Sequence, residues 1–176
     1  MFDVTAIGEL LIDMAQSGVS DIGSSIFEAN PGGAPCNVLA MLNKLGRSTA
    51  FIGKVGDDIF GKKLKNIVES SGTDVGGLVF DENVRTTLAF VETDEYGDRN
   101  FSFYRAPGAD MMLREDEVNV DIIKQSRVLH FGTLSMTHDV VEKATIKAIE
   151  TAKDLGLLLS FDPNLRPPLW GSMDRA

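Results

Sequence analysis

The chain has 176 residues, 43% of them apolar, so it can bury a sizeable core in one globular domain, and disorder is ruled out as the dominant state. Its formal charge of −9 is spread evenly, −4 over residues 1–88 and −5 over 89–176, which leaves no basic face for a nucleic-acid backbone. No apolar run approaches a bilayer span, no secretory signal opens the chain, and one cysteine (Cys36) with two histidines makes neither a disulfide nor a usual zinc site, so a soluble cytoplasmic protein is expected, without nucleic-acid or membrane partners.

Phe2 to Ile7 is a short apolar run ending at Gly8, and Leu10 to Met14 continues it after a polar step, which reads as a buried strand. From Ala15 to Phe27 the residues become small and polar, suiting loops and thin, partly exposed strands. A helical pattern begins at Asn37 and stops at Gly46, a residue suited to the left-handed position after a helix. Ser48 to Val55 reads as a strand. Asp57 and Asp58 open the next helix, where acidic groups complement the dipole, and Ser71-Gly72 closes it. Thr86 to Thr93 and Asn100 to Arg105 are rich in β-formers and read as a hairpin turning near Gly97. Arg127 to Phe131 is a further strand, His138 to Leu155 a helix closed by Gly156, and Leu157 to Phe161 the last strand. Strands alternating with helices predict a mostly parallel α/β sheet covered on both faces, with a small antiparallel layer apart from it.

Several segments bear ligand-capable groups. Gly32-Gly33-Ala34-Pro35-Cys36-Asn37 sets paired glycines before a helix, where backbone approaches a ligand closely and free N–H groups point outward; an ordinary Pro/Gly loop reads equally well. Asp13 ends an apolar strand, as a ligand-binding carboxylate or a solvated loop residue. Asp162-Pro163-Asn164-Leu165-Arg166 follows a parallel strand at its carboxyl end, where α/β sheets place ligands. Arg166 suits a phosphate or a surface ion pair, and His130 reads as a core histidine. Gly56 to Lys63 has the spacing of a phosphate loop, but Lys63 replaces the required hydroxyl and two carboxylates would face the phosphate, so that reading fails. A dinucleotide fingerprint is absent after the first strand.

Together these segments resemble the ribokinase-like (PfkB) carbohydrate kinases, most closely the fructokinases. The resemblance rests on Gly8 to Asp13, on Gly32 through Gly61, on Arg85 to Val91, on Phe101 to Asp110 and on Asp162 to Trp170, essentially the whole chain. It implies a ribokinase-like α/β fold with lid segments at about 15–30 and 86–106, and transfer of the γ-phosphoryl group of ATP, with Mg2+, to a sugar hydroxyl, in fructokinases the 6-hydroxyl of fructose. By the same resemblance Asp13 and Asn37 bind sugar hydroxyls, Gly32 and Gly33 form a hinge, Phe103 and Arg105 lie on the lid near the substrate, and Asn164 and Arg166 face the phosphate and magnesium region. A homodimer through the lid is a further implication.

The family's Gly-Ala-Gly-Asp motif, which carries its catalytic aspartate, is absent from this sequence. The chain is therefore expected to be residues 1–176 of a longer kinase domain, supplying the sugar side and lid, inactive alone and poorly folded alone. A kinase for another sugar, such as 2-keto-3-deoxygluconate read through Tyr104-Arg105, and a non-catalytic sugar-binding remnant are the alternatives. Ala34 stands where ribokinases often carry a lysine, which argues against ribose.

Overall fold

The computed structural model describes residues 1–93, 99–170, 172 and 174. Five parallel strands form the larger sheet in the order β5-β4-β1-β8-β9: β1 (Phe2–Ile7), β4 (Thr49–Gly56), β5 (Thr73–Asp81), β8 (Ser126–Gly132) and β9 (Leu158–Asp162). Their side chains alternate between two cores. Ile7, Ala50, Ile52 and Leu129 face α3 (Val120–Lys124) and α4 (Asp139–Asp154), whereas Ala6, Phe51 and Val55 face α1 (Ala34–Lys44) and α2 (Ile59–Ser70). Both faces of the central strands are thereby covered, as predicted.

The smaller sheet has the order β3-β2-β6-β7, from β2 (Leu11–Val19), β3 (Ser25–Gly32), β6 (Leu88–Thr93) and β7 (Arg99–Tyr104). It corrects the expected antiparallel layer. The β2–β3 and β6–β7 pairs are antiparallel, but β2 and β6 run parallel, so the sheet is mixed. More than sixty residues separate those two strands, and a connection of that length permits parallel pairing where a hairpin cannot. The strands flanking the predicted hairpin do pair, Thr93 facing Arg99; the turn near Gly97 lies outside the described residues.

The apolar stretch from Phe2 to Met14 is not one strand, because the chain leaves the large sheet after Ile7 and enters the small one at Leu11. Gly8 sits against the Pro35 ring, where a Cβ would come within 2.6 Å of Cγ. Helix α1 starts at Ala34, three residues before the predicted position, because Pro35 fits the first turn. It ends as predicted: Gly46 has φ of 75°, and the N–H groups of Gly46 and Arg47 donate to Asn43 and Leu42 carbonyls in a Schellman arrangement. Strand β5 has no counterpart in the sequence reading, since Gly76-Gly77 interrupts its apolar pattern.

Asp58 ties the two sheets together. Its Oδ1 accepts from the N–H groups of Phe60 and Gly61 at the start of α2, while Oδ2 accepts from Thr86 N–H at 2.9 Å, just before β6. These bonds hold its carboxyl below the usual range against the opposing effect of burial. Lys54, 3% exposed, fastens the other face of the large sheet to the turns that follow β7, meeting Asp81 at 3.0 Å, Glu117 at 2.9 Å and the Met112 carbonyl.

Asp58→Ala is expected to cost about 2 to 3 kcal/mol, one helix cap plus the bonds to Thr86. Asp58→Asn, which keeps an acceptor oxygen, should lose less. Urea denaturation reads both, and an alanine variant as stable as the parent would contradict the assignment.

Candidate functional site

Where the small sheet meets the carboxyl ends of the parallel strands lies a cavity of about 470 Å³. Its size falls within the range of small-molecule sites. Leu11, Asp13 and Ala15 reach it from β2, at the period of two that puts them on one face; Val91, Phe101 and Phe103 reach it from β6 and β7. The Phe101 and Phe103 rings lie nearly parallel with centroids 6.0 Å apart and by register share one face of the small sheet with Asp13 and Asn30, while Asn37 lines the cavity from α1. Asn164 and Arg166 line it from the loop after β9.

The glycine pair brings these elements into contact. Gly33 has φ of 122°, and a Cβ there would collide with the Glu9 carbonyl; a Cβ on Gly32 would collide with the Asp13 carboxylate. Helix α1 can therefore begin against the segment 9–13. Gly33 lines the cavity, while Gly32 sits beside it at the end of β3, paired with Leu11. In the last loop, Asn164 takes φ of 38° and its N–H donates to Asp162 Oδ1 at 3.1 Å, so the turn closes on its own carboxylate. Arg166 Nη1 donates to the main-chain carbonyls of Asn164 and Leu165.

Arg105 is placed differently from what the resemblance implied. It does not line the cavity. Nε donates to Asp110 Oδ2 at 2.8 Å, Nη1 to Thr137 Oγ1 at 2.8 Å and Nη2 to the Leu134 carbonyl at 3.1 Å, and Asp110 also accepts from the Thr87 hydroxyl. Both charged side chains are fully enclosed, at 2% and 0% exposure. The guanidinium thus joins the end of β7 to the turns after β7 and β8. Tyr104 points to the opposite face, against Phe90, so neither member of the Tyr104-Arg105 pair offered for an acidic sugar faces the cavity.

Glu9 was missed by the sequence reading, because only the fold shows that it is buried. It lines the cavity, and Ala34 N–H donates to its Oε1 at 2.8 Å, capping a helix whose own N-cap, Gly33, has no side chain to do so. Burial pushes its carboxyl up to about 7, opposed by main-chain donors and by Arg105 and aided by Asp110. Burial also raises the Cys36 thiol and lowers His130, which is 5% exposed with Nδ1 3.0 Å from Ser160 Oγ, as expected of a core histidine. Among the described residues no group of three or more His, Cys, Asp or Glu side chains could hold a metal ion.

A raised carboxyl favours the protonated folded state, so its stabilising contribution is complete below about pH 4.5 and is lost as pH rises through about 7. Glu9→Gln should therefore gain stability relative to the parent between pH 5 and pH 8, by on the order of 3 kcal/mol at most. Urea midpoints at the two pH values test this, and an equal difference at both would contradict it.

The model of the family described as "pfkB family carbohydrate kinase" matches residues 1–176. Fructokinase-1 of Zea mays is 47% identical over 175 residues, covering 98% of this chain and 54% of the relative. Among solved structures, a fructokinase from Xylella fastidiosa superposes with a TM-score of 0.91 at 34% identity, covering 97% of this chain and 53% of that one. A fructokinase from the same organism with bound ATP gives 0.89 at 33% identity, covering 97% and 51%. The chain spans about half the length of the relatives it matches.

Proposed function

This chain belongs to the pfkB family of carbohydrate kinases, and on that premise we propose that it provides the sugar-binding side and the lid of a fructokinase. The observation that carries the reading is the cavity itself, which brings aromatic rings together with the carboxylate and amides of Asp13, Asn30 and Asn37. A sugar presents hydroxyls around an apolar ring face and needs both kinds of surface. In this proposal Asp13 accepts from two hydroxyls and Asn37 pairs with a third, while Phe101 and Phe103 cover the ring.

The reaction is attack of the fructose 6-hydroxyl oxygen on the γ-phosphorus of ATP, with loss of ADP and of the hydroxyl proton. ATP supplies the transferred group, and its phosphates would meet Arg166 and Asn164 at the open end of the cavity. The ATP bound to the relative from Xylella fastidiosa supports ATP as the donor, and the planar fork of Arg166 suits a phosphate. Mg2+ would accompany the phosphates, held by oxygen ligands of the nucleotide and water. The sequence has no Gly-Ala-Gly-Asp motif, so what its residues contribute here is binding, orientation and exclusion of water. The small sheet acts as the lid through segments 15–30 and 86–106, with Gly32 and Gly33 as its hinge.

No helix among the described residues is long and apolar enough to cross a membrane. A cytoplasmic setting and a homodimer through the outer face of the small sheet belong to the same proposal. That face carries Phe27, Phe90 and Tyr104, with the Phe90 ring in contact with each of the other two. An acidic sugar is disfavoured, since Arg105 is already engaged by Asp110.

Titration calorimetry of the chain with fructose, ribose and glucose tests the reading. Fructose should bind most tightly, and ribose binding as well as fructose would overturn the assignment. Asp13→Ala should weaken fructose binding by at least roughly 10- to 100-fold, the worth of one of the two charged hydrogen bonds it loses. Arg166→Lys, which keeps the charge and loses the fork, should leave fructose affinity nearly unchanged and weaken ATP binding. An effect on fructose alone would place Arg166 in the sugar pocket.

A further inference from the structure

Glu9 occupies the point where β1, the small sheet and the start of α1 meet. It is 4% exposed, it lines the main cavity, and it also lines a narrower pocket behind it, beneath Pro35 and Thr133. Charged and titratable groups face it from every neighbouring element. Arg105 and Asp110 stand at the end of β7 and the turn after it, and Cys36 is on α1. Asp13 and Arg166 lie on other walls of the main cavity, and His130 and Asp162 line the narrower pocket at the ends of β8 and β9.

The buried cation in this set is not available to Glu9. Arg105 has its Nε and Nη2 on Asp110 at 2.8 and 2.7 Å, and further donors on Thr137 and the Leu134 carbonyl. The enclosed cluster of Glu9, Asp110 and Arg105 therefore carries two carboxyl groups and one guanidinium. With Glu9 ionised it would hold one surplus negative charge away from water, and the α1 N-terminus compensates only part of it. Protonation of one carboxyl removes the surplus, and the carboxyl without the guanidinium is Glu9.

We propose that Glu9 is a sugar contact that works as the neutral acid, its oxygen still accepting from Ala34 N–H while its O–H donates to a hydroxyl oxygen of the ligand, so that binding draws a proton from solvent. This rests on the sugar reading of the cavity. Asp13, as an acceptor, satisfies hydroxyl hydrogens, and Glu9 supplies the complementary donor for a hydroxyl oxygen. No covalent bond changes in the ligand; the proton taken up stays on the Glu9 carboxyl until the ligand leaves. Without ligand, burial holds this carboxyl at about 7, and a sugar that expels the remaining water raises it further.

The test is calorimetry of fructose binding at pH 7.5 in phosphate, HEPES and Tris, whose different ionisation enthalpies report the number of protons exchanged. The chain should take up roughly 0.5 to 0.8 of a proton per fructose bound. Glu9→Gln keeps an acceptor for Ala34 and gains a permanent donor, so its uptake should fall to near zero. Fructose affinity of the parent should decline above pH 7, approaching tenfold per pH unit, whereas that of Glu9→Gln should stay level to pH 8.5. The parent's profile is decisive even where the variant folds poorly: constant affinity from pH 6.5 to 8.5 overturns the inference. Proton uptake that persists in Glu9→Gln overturns it too, since the proton then goes elsewhere. Fructose binding without proton linkage removes this inference and leaves the sugar site standing, whereas absence of any fructose binding removes both.

Discussion

A chain that builds two sheets must pass between them, and each passage takes backbone out of one hydrogen-bonded ladder before it enters another. Four such crossings occur here: from β1 to β2, from β3 to α1, from β5 to β6, and from β7 into the turn at Ala109. Buried N–H and carbonyl groups at those points need partners that no strand supplies. Side chains and turns answer the need. Glu9 accepts from Ala34 at the second crossing, Asp58 accepts from Thr86 at the third, and Ala109 N–H donates to the Arg85 carbonyl beside the fourth. Asp110 then joins the third crossing to the fourth through Thr87 and Arg105.

The cavity lies along this seam because the seam is the one edge the two sheets share. Parallel strands end there, so their loops and the α1 N-terminus converge on it with free donors and polar side chains. The small sheet contributes the in-phase residues of β2 and β7 from above. Polar groups that satisfy the crossings and polar groups that face the cavity are thus drawn from neighbouring positions. Glu9 belongs to both sets, and its protonation couples the fastening of α1 to the contents of the cavity.

Local signals reveal the elements well where chemistry and position coincide. Gly46 and Gly156 end their helices at positive φ, Asp58 caps the next helix, and the short apolar run from Phe2 to Ile7 marks a strand. The Asp13, Asn37, Phe103, Asn164 and Arg166 positions meet in one cavity, as a shared role would require. Other features depend on partners distant in the chain. Gly77 looks like a strand breaker, yet a Cβ there would come within 2.7 Å of the Phe51 carbonyl on the neighbouring strand, so the glycine is what lets β5 approach. The division between β1 and β2 depends on Pro35 packing over Gly8. Arg105 looks like an exposed lid cation, and only the arrival of Asp110, Leu134 and Thr137 around it shows that it is enclosed.

The central position of β1 has a consequence for the order of assembly. Val4 is paired with Thr49 on one side and with Val128 on the other, so the first strand made has one neighbour that follows within the early chain and another that emerges only after most of it. Contacts separated this widely in sequence close large loops, and loop closure slows folding. During synthesis the half-sheet β5-β4-β1 can form first, with α1 and α2 on one face, while the surface awaiting β8 and α4 stays open. A polypeptide of this topology leaves the β1 edge unpaired on that side until β8 has been made, and an unpaired strand edge is open to mispairing.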